Sequence, residues 1–198
     1  LEDRVELPRL YLAWHSPAMF GSDDAELDLA ADLLSHGKTS RLYRLLVYEK
    51  QIAADVVAYQ HSREISGVFQ IAATAVAGVP LQDLYETIIR TVEELATSGP
   101  TGAELERAHA QTDAQFVYRI QTIGGFGGKS DQLNAYNVFR GTPGYFDADR
   151  ARYDAATREG IARATRDWLT ARPHVALSVV PRGSNALALP GSAEVVVS

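Results

Sequence analysis

Cysteine is absent from the 198-residue sequence. That excludes disulfides, zinc–thiolate centres and cysteine nucleophiles together. It does not fix a compartment, because a periplasmic chain can also lack cysteine. No apolar run approaches the roughly 20 residues that a bilayer span needs. Basic residues are outnumbered: 19 Lys and Arg stand against 25 Asp and Glu, for a net charge of −6. A general affinity for nucleic acid is therefore not expected. The Gly-x-Ser-x-Gly elbow of one hydrolase class is missing. No signal peptide is visible, but the chain opens at Leu1 rather than Met, which suggests an excised or processed piece of something longer. What is present is ordinary for a globular fold, with 46% hydrophobic and 22% charged residues. A chain of this size can bury roughly 70% of its unfolded surface, so it needs no metal or disulfide to fold.

No repeat, low-complexity tract or clear linker interrupts the chain before its tail. Arg9 to His15 reads as a strand with Leu10, Leu12 and Trp14 on one face. Asp23 and Glu26 have capping-box spacing ahead of a helical stripe of Leu27, Ala30, Ala31 and Leu34, which Gly37 ends. A second helix is expected from about Ser40 to Lys50. Strands follow over about Ala54–Gln60 and Val68–Val76. In the latter, Phe69, Ile71, Ala73 and Ala75 face one way, while Gln70 and Thr74 face the other. Leu81, Leu84, Ile88, Val92 and Leu95 mark a strongly amphipathic helix. Thr101 and Glu104 form a capping box for the next helix, to about Ile123. Helical patterns recur around Asp131–Phe139, Tyr145–Tyr153 and Ile161–Leu169. The last strand is His174–Val180, with Val175, Leu177 and Val179 expected inward. The order predicts a single α+β domain over residues 1–198, a mainly antiparallel sheet with helices on one face. Its core runs over about residues 7–181. The tail, 182–198, ends in a short extra strand over Ala193–Ser198.

Motifs that could carry chemistry mostly have plainer readings. Gly37-Lys38-Thr39 lacks the earlier glycine of a phosphate loop and follows a helix. Gly124, Gly125, Phe126, Gly127, Gly128 and Lys129, ahead of Ser130, come nearer, yet Ile123 stands where the first glycine should be. This run also leaves a helix rather than a strand, so backbone N–H groups would not converge on an anion. It reads as a helix-breaking turn, with a flexible contact loop as the alternative. His61 and Glu64 begin an inverted zinc motif, but Ile65 replaces its last histidine, and the stretch lies between strands. His15, His36, His109 and His174 show no ligand spacing. His36 suits a helix C-terminus, and His109 reads as a satisfied core or rim histidine. Asp23 with Asp24, and Glu93 with Glu94, read as solvated neighbours. No carboxylate pair is placed for acid–base work, so no catalytic or metal-binding residue is assigned.

The run Leu33 to Leu46, with Ser40-Arg41-Leu42 at its centre and Glu49-Lys50-Gln51-Ile52-Ala53 after it, resembles the glycine–serine–arginine–leucine helix of the pitrilysin/insulinase family of zinc peptidases. Gly125 to Asn134, Gly144-Tyr145-Phe146 and the helix opened by Thr157 resemble its bacterial members. The likeness extends from about Leu7 to Pro181. In that family one domain carries His-x-x-Glu-His and a distant Glu, and similar α+β halves close around a peptide. This chain lacks that motif, so the resemblance implies a catalytically inactive, C-terminal domain of a bacterial member. Zinc is implied in the parent's catalytic domain and not here. The implied partners are zinc-bearing domains of the same chain or of a second subunit, and a peptide or unfolded protein. The bacterial periplasm or cell envelope is the implied location. Family members hold substrate with an Arg and a Tyr from a partner domain; those positions are Val47 and Ala54 here. The implied role is chamber wall and peptide-binding surface. The alternative is an assembly module like the non-peptidase subunits that share the fold.

Overall fold

The computed structural model describes residues 1–193. Five strands, β1 (Glu2–Asp3), β2 (Arg9–Ser16), β3 (Ala53–His61), β4 (Gly67–Ala75) and β5 (Val175–Pro181), form one sheet in the order β1-β5-β2-β4-β3. Every neighbouring pair is antiparallel except β1 with β5. Among the described residues six α-helices accompany it: α1 (Asp24–Ser35), α2 (Leu81–Ser98), α3 (Gly102–Gln121), α4 (Lys129–Arg140), α5 (Phe146–Asp154) and α6 (Arg158–Thr165). The α+β class expected from the element order is the one found.

Strand alternation sets the core. Leu10, Leu12 and Trp14 of β2 pair with Ala73, Ile71 and Phe69 of β4, and none of the six is more than 2% exposed. Their side chains meet the apolar stripe of α2, where Leu81, Leu84, Ile88, Val92 and Leu95 are all buried as their spacing predicts. Helices α1 and α6 complete this layer. Tyr11, Ala13, Val57 and Tyr59 alternate to the opposite face, where Val57 and Tyr59 remain partly open to solvent.

Several local expectations change. In β5 the phase is reversed. Ala176 pairs with Leu12 and Ser178 with Leu10, so the inner side carries Ser178 and Val180, while Val175 is 70% exposed. Bulk misled here, because Ser178 is an acceptable interior residue: its Oγ accepts the Leu189 N–H at 3.1 Å. The helix expected from Ser40 widens into π geometry over Tyr43–Glu49, and Lys50 N–H bonds to Leu45 O. Leu42 and Leu46 remain fully buried. The Asp23–Glu26 capping box does not form. Asp23 sits at φ 69° without capping, and its carboxylate accepts from Arg163 at 2.6 Å and Trp168 at 3.1 Å. Thr101 with Glu104 does form its box, and Thr157 caps α6. A second π segment, Arg166–Thr170, continues α6. The edge strand β1 is only two residues long, too short for alternation to mark it in the sequence. The strand expected over 193–198 lies outside the described residues, apart from Ala193, which is irregular.

On the outer edge of β3, the Ser35 hydroxyl serves both backbone groups of one residue. It accepts the Ala58 N–H at 2.7 Å and donates to the Ala58 carbonyl at 3.2 Å.

Candidate functional site

The Ser-Arg-Leu run is a structural joint. Ser40 Oγ donates to Gly37 O at 2.7 Å, closing the turn after α1. Leu42 enters the core. Arg41 makes a bidentate pair with Glu104, Nε to Oε1 at 2.9 Å and Nη2 to Oε2 at 2.8 Å, and also donates to Gly99 O at 3.0 Å. Gly99 itself is required at φ +67°, where a Cβ would lie 2.9 Å from Arg158 O. Arg41 lowers the Glu104 carboxyl from 4.5 to about 2. A carboxylate held below its ordinary range adds stability above pH 4.5, and that stability is lost as pH falls through about 2. Arg41→Ala is therefore expected to cost about 2 kcal/mol at pH 7. It should also flatten the acid limb of urea stability measured between pH 5 and 2. An unchanged acid limb would remove this assignment.

The other residues singled out by sequence do not converge. Val47 is half-buried against the core from the π segment. Ala54 is exposed at the β3 bulge, where pairing skips from Ala53 to Asp55. The Gly124–Lys129 loop is a tight turn between α3 and α4, with Lys129 N–H bonded to Thr122 O at 2.8 Å. The Asp131 carboxylate accepts the Gly127 N–H at 3.0 Å, so the loop carries its own anion and is no phosphate cradle. Phe126 at its tip is fully exposed. His61 and Glu64 lie in the exposed end of β3 and the turn after it. His109 is half-buried at the rim of α3 and joins none of the other histidines.

The most developed site was not foreseen. It is a polar cleft where α1, the end of β3, α3, α4 and α5 meet. Two adjoining cavities of about 260 and 360 Å³ share Asp28, Gln60, Arg119 and Tyr153. Asp24, read as solvated, is instead 3% exposed. It accepts from Phe20 N–H at 2.8 Å, Gln60 Nε2 at 2.7 Å, the Ser62 hydroxyl, and Arg152 Nη1 at 3.2 Å. Arg152 also donates to Asp149 at 2.6 Å, and Tyr136 donates to Asp149 at 2.8 Å. Tyr153 donates to Asp28 at 2.6 Å.

Asp24, Asp28 and Asp32 recur at four-residue spacing and so share one face of α1. Burial, then the neighbouring Asp24 charge, raises the Asp28 carboxyl from 3.8 to about 7. Burial also raises Asp32, against His36 and Arg119. Burial and Asp149 push the Tyr136 phenol up. The cleft thus holds a balanced hydrogen-bonded network with one carboxyl kept neutral up to about pH 7. Among the described residues, no three His, Cys, Asp or Glu are grouped to hold a metal ion. The cleft offers aspartates where zinc in peptidases uses mainly histidine nitrogen, and Asp28 is already engaged by Tyr153. These residues do not fit a catalytic zinc centre.

The fold is an α+β domain whose mainly antiparallel sheet carries helices on one face, and its cleft is a network of aspartates, arginine and tyrosines. The peptidase M16 inactive domain family matches residues 1–112, more than half of the chain, and the chain belongs to that family. The zinc protease PqqE of Helicobacter pylori is 26% identical over 144 residues. The match covers 73% of this chain but only 32% of that relative's length. The crystallised inactive peptidase domain of a protein assigned as a zinc protease in Bordetella parapertussis has a TM-score of 0.75 and 23% identity, covering 91% of this chain and 94% of that one. A chain of complex III from Candida albicans gives a TM-score of 0.76 at 15% identity, over 96% of this chain and 48% of that one.

Proposed function

We propose that this inactive domain serves a zinc peptidase as a wall of its chamber and a surface for unfolded peptide, packed against the zinc-bearing domains. The observation that carries this reading is the opposite face of the sheet. Among the described residues it has no helix layer, and it presents Tyr11, Ala13, Val57, Tyr59 and Val68 together. His15 and His61 flank Val68 on this same face, so the surface suits extended peptide with both apolar and polar side chains. The positions matching the family's substrate-holding pair, Val47 and Ala54, offer no hydrogen-bond donor from their side chains. The parent is proposed to be a bacterial metalloendopeptidase of the envelope or periplasm, on sequence resemblance alone.

The test is turnover in the parent protein. Val47→Ala is expected to leave peptide hydrolysis within a few-fold of wild type, with any loss appearing as about 1–3 kcal/mol of stability. The 198-residue chain by itself is expected to hydrolyse no peptide. Chelator-resistant turnover by the purified chain, or a thousandfold loss in Val47→Ala with unchanged folding, would overturn the reading. The assembly-module alternative rests on the likeness to the complex III chain. A parent sequence carrying His-x-x-Glu-His upstream separates the two.

A further inference from the structure

Helix α5 is seated largely by polar contacts, with Tyr153 also packed against the edge of the core. Its only buried residue is Asp149. Tyr153 reaches Asp28, Arg152 reaches Asp24, and Arg150 reaches Asp113 at 2.7 Å. Helix α4 likewise buries only Tyr136, whose hydroxyl ends on Asp149. Apolar support comes mainly from Phe116 of α3, with ring centroids 5.5 Å from both Phe146 and Tyr153. A layer held this way opens at lower cost than the sheet core and responds to the charge beneath it.

That charge is set at Asp28. On its own helix it is flanked one turn away by Asp24 and Asp32. From α5 it faces Tyr153, Arg152 and Asp149; from α3, Arg119; from α4, Asp131 and Tyr136; and from the end of β3, Tyr59 and His61. Arg152 is committed to Asp24 and Asp149. Arg119 is exposed at the cleft mouth and bears on Asp32. No cation lies within hydrogen-bond reach of Asp28 among the described residues, and its one donor there is the Tyr153 hydroxyl.

We propose that Asp28 is a proton-operated latch: protonated, it seats α5 and α4 against α1; ionised, it loosens that layer and opens the cleft. A second negative charge between Asp24 and Asp32 is poorly solvated while α5 is down, and it gains water when α5 lifts. The sign follows from the raised carboxyl. The seated form binds the proton more tightly than the open form, so rising pH favours opening, with the change centred near pH 7.

Amide hydrogen exchange of the 198-residue chain from pH 5.5 to 8.5, corrected for intrinsic exchange, tests this. A homologous domain of nearly the same extent crystallises by itself. Segments 129–140 and 146–154 are expected to lose protection by about tenfold across pH 7, while β2 and β4 do not. Asp28→Asn cannot ionise but still accepts from Tyr153, so it should stay protected and flat with pH. Tyr153→Phe removes the donor and should expose the same segments already at pH 5.5. A flat wild-type profile, a pH response that persists in Asp28→Asn, or wild-type behaviour in Tyr153→Phe would each overturn the latch.

Discussion

Replacing Arg152 with alanine is expected to cost about 3–5 kcal/mol, measured by urea unfolding at pH 7. Arg152 stands between two carboxylates whose side chains are nearly inaccessible, Asp24 at 4% and Asp149 at 8% exposure. Removing the guanidinium leaves both acids buried and facing each other without a counter-charge, which is the costly way to break such a network. Its plane also lies over the Phe20 ring at 5.2 Å, so some packing is lost as well. Arg152→Lys should recover only part of the loss, because one ammonium cannot reach two acids with paired donors. Adding Asp24→Asn to Arg152→Ala should recover more. A loss below about 1 kcal/mol for Arg152→Ala would place the pair among ordinary surface contacts.

Trp14 gives the second large effect. It is 2% exposed and packs edge-on to Phe69, with His174 at 4.8 Å between ring centroids. Trp14→Ala is expected to destabilise by about 3–5 kcal/mol through lost burial and the cavity left behind. Trp14→Phe should cost clearly less than truncation. The indole Nε1 makes no hydrogen bond to another protein group, so phenylalanine gives up no such bond and keeps most of the ring. The order Ala much worse than Phe, in thermal and urea unfolding alike, is the expected result. Equal losses would mean that the indole's second ring is essential to the packing.

The elements legible in the sequence are those whose signal is local. The α2 stripe, the Thr101–Glu104 box and the Leu10–Trp14 alternation each lie within one element, and each is realised. The cleft was not legible because its partners are far apart in the chain: Asp24 meets Arg152 and Asp28 meets Tyr153 across 128 and 125 residues. One local hint was available. Three aspartates at four-residue spacing beside the apolar stripe of α1 are unusual for a solvated face, and their separation of one helical turn puts them in a row. Asp23 and Asp24 depart from the expected solvated pair for the same reason, since distant arginines and Trp168 decide where they point. The phase of β5 failed differently, because every position there is small or apolar and alternation alone does not choose a side.

The Ser35 hydroxyl on β3 bears on how the domain behaves when crowded. An outermost strand of nine residues is a template on which another molecule's strand can stack, the usual seed of fibrils. At Ala58 both template groups are already taken from the side by α1. An incoming strand would meet a helix in the middle of its docking row and could add only over the flanking stretches. The domain can therefore keep an apolar sheet while its longest free edge resists end-to-end growth into fibres.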